Sequence, residues 1–426
     1  LVSVRKLSGT LSSLANRRIG VITVLGFASG LPLALTGGTL QAWMTVEGVD
    51  LKTIGIFTLV GIPYTVKFLW APILDRYALP WLGRRRGWIL VSQVALMGLI
   101  VALGLSSPKN TPWLVALLAL FLAFTSASQD IVVDAYRTDV LREKERGLGA
   151  AVYVTGYRLA MLVSGALALV LSGFLGWRMT YMLMAALMIF GALATFLGPE
   201  PEEVVQPPRS LKEAVAGPLQ EFFSRPGAWV FLALIILYKI GDAFAGSLTT
   251  AFLIRGPGFS VAEVGTINKG LGLIATILGA LFGGVVLARL GLYRSLMVFG
   301  ILQAVSNLSF MVLAHVGKVY SMMVLAVAFE NLSGGMGTAA FVAFLMALCD
   351  HRFTATQFAL LSALASLGRV FVGPPSGFLA QEVGWVVFFF ITFLAALPGL
   401  GLLWGMRRWV RSLEHETEDN GGPAPS

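Results

Sequence analysis

Nine charged residues stand where the sequence is otherwise apolar: Lys67, Asp130, Asp134, Arg158, Lys239, Asp242, Lys269, Glu330 and Arg369. Each falls in a run long enough to cross a bilayer, where a charge costs ~2.5–3.5 kcal/mol on insertion scales. Such groups must pair with one another or line a shared aqueous path. Cations left over would attract an anionic solute or alter the proton affinity of nearby carboxylates. A carboxylate exposed alternately to the two faces of a membrane can also carry a proton, which a membrane potential drives with ~2.3 kcal/mol per charge per 100 mV.

The densest cluster lies between Thr125 and Asp139. At helical spacing Ser126, Asp130, Asp134 and Arg137 share one stripe, which must face protein or water. An uncharged run, Pro112 to Gln129, precedes Asp130 and places it deepest. Asp130 is therefore the first candidate for a proton or substrate site, with Asp134 its partner one turn nearer the cytoplasm. Arg137 and Asp139 belong either to the wet end of a membrane helix or to a cytoplasmic latch. Elsewhere Lys239 and Asp242 are i, i+3 and neutralise one another most simply. Glu330 is expected to pair with Arg369, leaving Lys67, Arg158 and Lys269 as the freer cations. The proton-coupling candidates are thus Asp130, Asp134, Glu330 and Asp242. The substrate-binding candidates are Lys67, Gln129, Tyr64, Tyr153, Tyr157, Arg158, Lys239, Lys269, Phe341 and Arg369, the aromatics serving either as stacking platforms for sugar faces or as packing.

Enzymatic chemistry finds no support in the residue pattern. The three histidines, His315, His351 and His415, lie near predicted span ends or in the tail, and Cys349 is the single cysteine. There is no Walker loop, HExxH, Gly-x-Ser-x-Gly or ligand cluster. We expect no catalytic residues, no metal and no cofactor.

The elements that must hold these charges are membrane helices. With 57% hydrophobic and 12% charged residues, the chain exposes too little polarity for a soluble surface of its size. Apolar runs of about 18–25 residues, the length that crosses a core of ~30 Å, recur from end to end. Twelve spans are expected: 19–46, 51–74, 87–106, 112–136, 147–174, 178–198, 228–254, 261–288, 293–315, 319–349, 353–381 and 384–406. Gly26, Gly30 and Gly37 with Pro32 should break the first span, and these and Gly334, Gly335 and Gly337 in the tenth should serve either close helix packing or bending. Trp43, Trp177 and Trp385 lie near span ends and read as interface belts.

The net charge of +9 reports orientation rather than a nucleic-acid partner. Arg5, Lys6, Arg17, Arg18, Arg84, Arg85, Arg86 and most other basic residues fall on the side of the N-terminus, so both termini are expected in the cytoplasm. Leading basic residues precede an apolar run too long for a secretory signal. The chain also repeats. Gly48 to Gly55 resembles Gly258 to Gly265, Arg158 matches Arg369, Asp139 matches Asp350, and Gly176-Trp177 recurs as Gly384-Trp385, all at nearly one offset. This implies two pseudo-symmetric six-helix bundles, 1–198 and 228–410. Between them, 199–227 is a polar linker in which Ser210 to Phe222 should form an interfacial helix. The tail 411–426 should be disordered.

After the second span, Asp75-Arg76 and then Gly83-Arg84-Arg85-Arg86-Gly87 resemble the loop signature of the major facilitator superfamily, with extra residues between the two parts. That resemblance implies a conformational latch of Asp75, Arg76, Gly83, Arg84 and Arg137, in which the acid meets a helix start and an arginine. More specific stretches are Gly26 to Thr36, Leu40 to Met44, Phe68 to Pro72, Ser126 to Ile131, Tyr238 to Phe244, Phe252 to Gly256 and Ala355 to Ser362. Together they resemble the AmpG muropeptide permease family of that superfamily, over nearly all spans.

The resemblance implies an all-α polytopic membrane protein of the major facilitator fold with 12 transmembrane helices. It further implies proton-driven import of N-acetylglucosaminyl-1,6-anhydro-N-acetylmuramyl peptides across a Gram-negative inner membrane. The process serves peptidoglycan recycling and, in some species, β-lactamase induction. The expected partners are the muropeptide, protons and lipids, with the chain acting as a monomer. The alternatives are a transporter of another large anion such as acetyl-CoA, or a non-transporting membrane sensor. For the latch, Asp75→Asn should change the transport rate while the amount of folded protein in the membrane stays the same; normal transport by this variant would remove the latch role.

Overall fold

The structure, a computed structural model, describes residues 16–77, 79, 82–83, 85–142, 145–199, 223–224, 227–349 and 354–419. The regular elements it describes are all helical. The described residues fall into two units, one drawn from Leu1–Gly48 with Val60–Arg209 and the other from Val49–Leu59 with Ser210–Ser426. The segment Val49–Leu59, expected in the first bundle, thus groups with the second unit.

In the first unit α1 (Arg17–Thr36) opens on Asn16, whose side chain accepts from the Arg18 amide at 3.1 Å. This satisfies one of the free N–H groups of a helix start. The helix runs through Pro32 and stops only at Gly37, after which α2 (Gly38–Val46) continues. Gly26 and Gly30 therefore do not break the span as expected. They are where α8 (Arg146–Met161) comes closest: a Cβ at either would strike the carbonyl of Tyr153 or Tyr157, and one at Gly156 would strike that of Thr23. Small residues let two membrane helices approach when no water is present to drive them together.

The second span departs most from expectation. Instead of one helix over 51–74, the chain forms α3 (Leu51–Phe57), a 3₁₀ turn at Thr58–Gly61, α4 (Ile62–Val66), a second 3₁₀ turn at Lys67–Leu69, and α5 (Ala71–Arg76). Pro63 and Pro72 each sit in the first turn of a short helix, where the missing N–H costs nothing. Hydropathy alone does not register these interruptions. The unit is completed by α6 (Arg86–Leu105), α7 (Pro112–Val140) and α9 (Ala168–Leu197), with a π-helical turn at Leu162–Leu167 joining α8 to α9.

The second unit contains α10 (Ala228–Arg255), a π-helical turn at Val264–Leu271, α11 (Gly272–Leu290), α12 (Leu292–Val316), α13 (Tyr320–Ala347), α14 (Thr354–Phe371) and α15 (Gly373–Gly405). Helix α13 continues without a break through Gly334, Gly335 and Gly337. Packing is the role the contacts support: a Cβ at Gly335 would strike the Thr276 carbonyl, and one at Gly279 on α11 that of Leu332. Helix α3 lies against α15 in the same way, with Gly55 facing Gly373 and Gly377, and Lys52 bonding Glu382 at 2.9 Å.

Among the described residues, eight helical stretches are long and apolar enough to cross a membrane. Two of them, Leu148–Leu197 and Leu360–Gly405, are 50 and 46 residues long. At 1.5 Å per residue each is about twice the ~30 Å a single crossing needs. Each is broken at one glycine outside the helical region, Gly176 (φ 74°) and Gly384 (φ 75°), where a left-handed backbone turn favours glycine. The remaining expected crossings fall on α13 and on the broken segment 51–76. The duplication extends to the backbone, because Gly48 and Gly258, Gly83 and Gly291, and Gly176 and Gly384 pair off at the repeat offset and all have positive φ.

Trp43 is not an interface residue: it is 4% exposed and stacks on Trp177 at 5.8 Å, while Trp385 lies among Phe252, Phe388 and Phe389. Trp113, 82% exposed, is better placed for a belt. Where disorder was expected from 411, α16 (Arg407–Asp419) continues to Asp419, with Val410 buried and Trp409 stacked on Phe231 at 3.7 Å. The interfacial helix expected over 210–222 lies outside the described residues, as do Arg84 and the side chains of Asp75 and Arg76.

Because Gly156 has no room for a side chain, Gly156→Val should lower the thermal unfolding midpoint of the purified protein by several degrees. Gly20→Ala, in open space, should leave the midpoint within error. Equal midpoints for the two variants would contradict the close α1–α8 contact.

Candidate functional site

In the first unit the predicted stripe forms on α7. Asp130 is 6% exposed, its Oδ2 lies 4.0 Å from Lys67 Nζ, and its Oδ1 has no partner among the described residues. Lys67 is therefore not one of the free cations. It reaches Asp130 from the 3₁₀ turn between α4 and α5, a position created by the broken second span. One turn along α7, Asp134 Oδ1 lies 3.2 Å from the Arg137 guanidinium, which rests 4.5 Å above the Tyr153 ring. Arg137 thus pairs within the α7 stripe, with the half-exposed Asp134 rather than the buried Asp130. Asp139, expected at the cytoplasmic latch or the wet helix end, accepts from Arg85 of the Gly83–Gly87 loop at 3.1 Å.

Around Asp130 the buried Tyr64 hydroxyl, Ser126 Oγ and Gln129 Oε1 also lack partners among the described residues. Gln129 Nε2 faces Ser29 Oγ at 3.5 Å, at the limit of a hydrogen bond. Ser29, fully buried on α1, faces Asp130 and Tyr153 as well. Sequence reasoning missed it because a serine in a glycine-rich apolar stretch carries no signal of its own; only the packing of α1 against α7 and α8 brings it here. Tyr153 and Tyr157, ring centroids 6.4 Å apart, complete this wall. Buried polar atoms without partners are rare, and several together mark a place suited to a polar solute or proton rather than to packing.

The second unit solves its charge problem differently. Lys239 Nζ lies 3.5 Å from Asp242 Oδ2, the expected i, i+3 pair, and 3.4 Å from Thr338 Oγ1. Its ammonium is 6.0 Å from the Phe341 ring, which stacks on Tyr238 at 5.6 Å. Glu330 does not pair with Arg369. Its Oε2 accepts from Asn331 Nδ2 at 2.7 Å, and Asn331 in turn accepts from Thr276 at 3.1 Å. Lys269, on the π-helical turn, and Lys239 are the cations acting on Glu330. Arg158 and Arg369 are exposed and make no hydrogen bond or ion pair with a described residue. Among the described residues no His, Cys, Asp and Glu group is arranged to hold a metal.

The Lys67–Asp130 contact predicts energetic coupling. Lys67→Met should lower the unfolding midpoint by stranding a buried carboxylate, and Asp130→Asn in the same background should recover part of the loss, a coupling of about 0.5–3 kcal/mol. Strictly additive effects in this cycle would mean that the two groups do not interact.

Comparison with known proteins agrees with this architecture. Residues 22–268 match the model of the Major Facilitator Superfamily. The chain is 57% identical over 387 residues to the anhydromuropeptide permease of Escherichia coli (strain K12), covering 91% of this chain and 79% of that protein. It is 39% identical over 424 residues to an uncharacterized protein of Haemophilus influenzae, covering 96% and 98%. Among solved structures, that of the nucleoside transporter NupG aligns with a TM-score of 0.69 at 16% identity, covering 93% of this chain and 98% of that one. A POT family transporter in complex with a thioalcohol-conjugated peptide aligns at 0.70 and 14% identity, over 92% and 96%; both likenesses concern the fold. The charged residues described above are thus carried by a multi-pass membrane transporter chain that belongs to the Major Facilitator Superfamily and, within it, to the family of the anhydromuropeptide permeases.

Proposed function

We propose that this protein imports anhydro-muropeptides across a bacterial inner membrane by alternating access, with both termini in the cytoplasm, and that proton movement through Asp130 drives the import. The substrate class comes from the Escherichia coli relative. The observation that carries the coupling is the Asp130–Lys67 contact among partnerless buried polar atoms.

With Asp130 ionised, its carboxylate holds the Lys67 ammonium and leaves it little attraction for another anion. Protonation of Asp130 removes that counter-charge, and Lys67 becomes free to attract a carboxylate of the solute. Proton and anionic solute then favour one another's binding, and by linkage the preference is reciprocal. Loss of the proton on the other side returns Lys67 to Asp130 and expels the solute. Asp134 and Arg137 form a neighbouring neutral pair that keeps the remaining charge on α7 balanced. In the second unit Asp242 and Glu330 are tied to Lys239 and Asn331, which leaves Asp130 as the stronger candidate for the moving proton.

Proteoliposomes test this reading. The wild-type protein should accumulate labelled anhydro-muropeptide when the proton gradient points inward, with no competition from excess acetyl-CoA. Asp130→Asn should abolish accumulation while retaining exchange of labelled for unlabelled solute. Wild-type binding without uptake would make the protein a sensor, and undiminished accumulation by Asp130→Asn would remove the coupling role.

A further inference from the structure

Two membrane-depth cations take no part in the pairs described above. Arg158 on α8 and Arg369 on α14 occupy corresponding places in the two halves, 211 residues apart. At the same offset Asp130 and Asp134 fall on Phe341 and Leu345, so these arginines are charges that both halves share while the acids are not. Each also lies within a long apolar helical stretch, Leu148–Leu197 or Leu360–Gly405, in which the regular α-helix gives way a few residues on, after Met161 and Phe371. Arg158 is twelve residues beyond Arg146 and eighteen before the break at Gly176, about 18 and 27 Å of helix. Arg369 is fifteen residues beyond Thr354 and fifteen before the break at Gly384, about 22 Å either way. At such depth an exposed guanidinium cannot face acyl chains and must look onto an aqueous path.

Among the described residues, nothing around them supplies a counter-charge. In the first unit Asp134 is paired with Arg137, and Asp130 is 4.0 Å from Lys67. In the second unit Asp242 is engaged by Lys239, and Glu330 by Asn331. The hydroxyls on the same helix stripes are turned inward: Thr155 donates to the Ala151 carbonyl at 2.8 Å, and Ser366 to that of Ser362 at 2.9 Å. Lys239 lies close enough to feel Arg369 and is a like charge. Arg158 and Arg369 are therefore permanently charged two-pronged donors, one in each unit, with no counter-charge among the described residues. A guanidinium fork matches the planar two-oxygen geometry of a carboxylate, and no shift of proton can relieve its charge.

We propose that Arg158 and Arg369 are repeat-related carboxylate anchors, each binding a carboxylate on the peptide part of the transported solute. The inference rests on the transport reading above and names the chemical feature that transport selects.

The test compares uptake of a free-acid anhydro-muropeptide with its analogue whose peptide carboxylates are converted to carboxamides. Wild-type protein should take up the free acid with a KM about 10- to 100-fold lower than the carboxamide. Arg158→Gln and Arg369→Gln should each raise the KM for the free acid and leave that for the carboxamide within about 2-fold, at unchanged dependence on the proton gradient. Arg158→Lys and Arg369→Lys, which keep the charge but lose the fork, should fall between. A variant that slows both solutes equally, or neither, overturns the anchor role for that residue. A wild-type protein that takes up neither solute overturns the transport reading itself.

Discussion

A carboxylate buried at membrane depth needs a counter-charge, and the contact of Asp130 with Lys67 meets that need. Much of the local architecture is arranged around it. The second span is broken into short helical and 3₁₀ pieces, and Lys67 stands on one of those turns. The glycines of α1 and α8 bring Ser29, Tyr153 and Tyr157 against the acid. Non-helical backbone within a membrane is tolerated where it is buried in protein or lines a polar cavity, which is what the partnerless Tyr64, Ser126 and Gln129 atoms indicate here.

The two halves share a backbone plan and divide the chemistry. Matching positive-φ glycines and the break at Gly176 and Gly384 show that the chain path was duplicated. The acids were not: the first unit joins Asp130 to a lysine from another element, whereas the second neutralises Lys239 within one helix and satisfies Glu330 with an amide. A lysine held across two elements can be released by protonating its partner. A pair on consecutive turns of one helix stays together through most motions, which suits a structural role better than a moving one.

Much of this was readable in the residues, and the failures have physical causes. The stripe of Ser126, Asp130, Asp134 and Arg137 follows from helical periodicity, and the Lys239–Asp242 pair from i, i+3 geometry, because both are local. Partners from different helices were not readable. Lys67 was expected to be free, Glu330 was assigned to Arg369, and Ser29 was missed, since each depends on which helix faces which. Hydropathy gave the extent of the second span and not its breaks, because 3₁₀ turns with Pro63 and Pro72 are as apolar as a helix. Trp43 was misread for a related reason: position near a span end says nothing about whether Trp177 lies across from it.

In the proposed coupling, anionic solute and proton move together because Asp130 and Lys67 exchange partners. The most direct measurement is proton entry into proteoliposomes with a weakly buffered lumen containing a trapped pH dye, started by adding anhydro-muropeptide outside with no imposed proton gradient. The account predicts internal acidification that begins with solute entry, scales with it, and is absent when solute is withheld. Solute entry at full rate with no change in internal pH would contradict it.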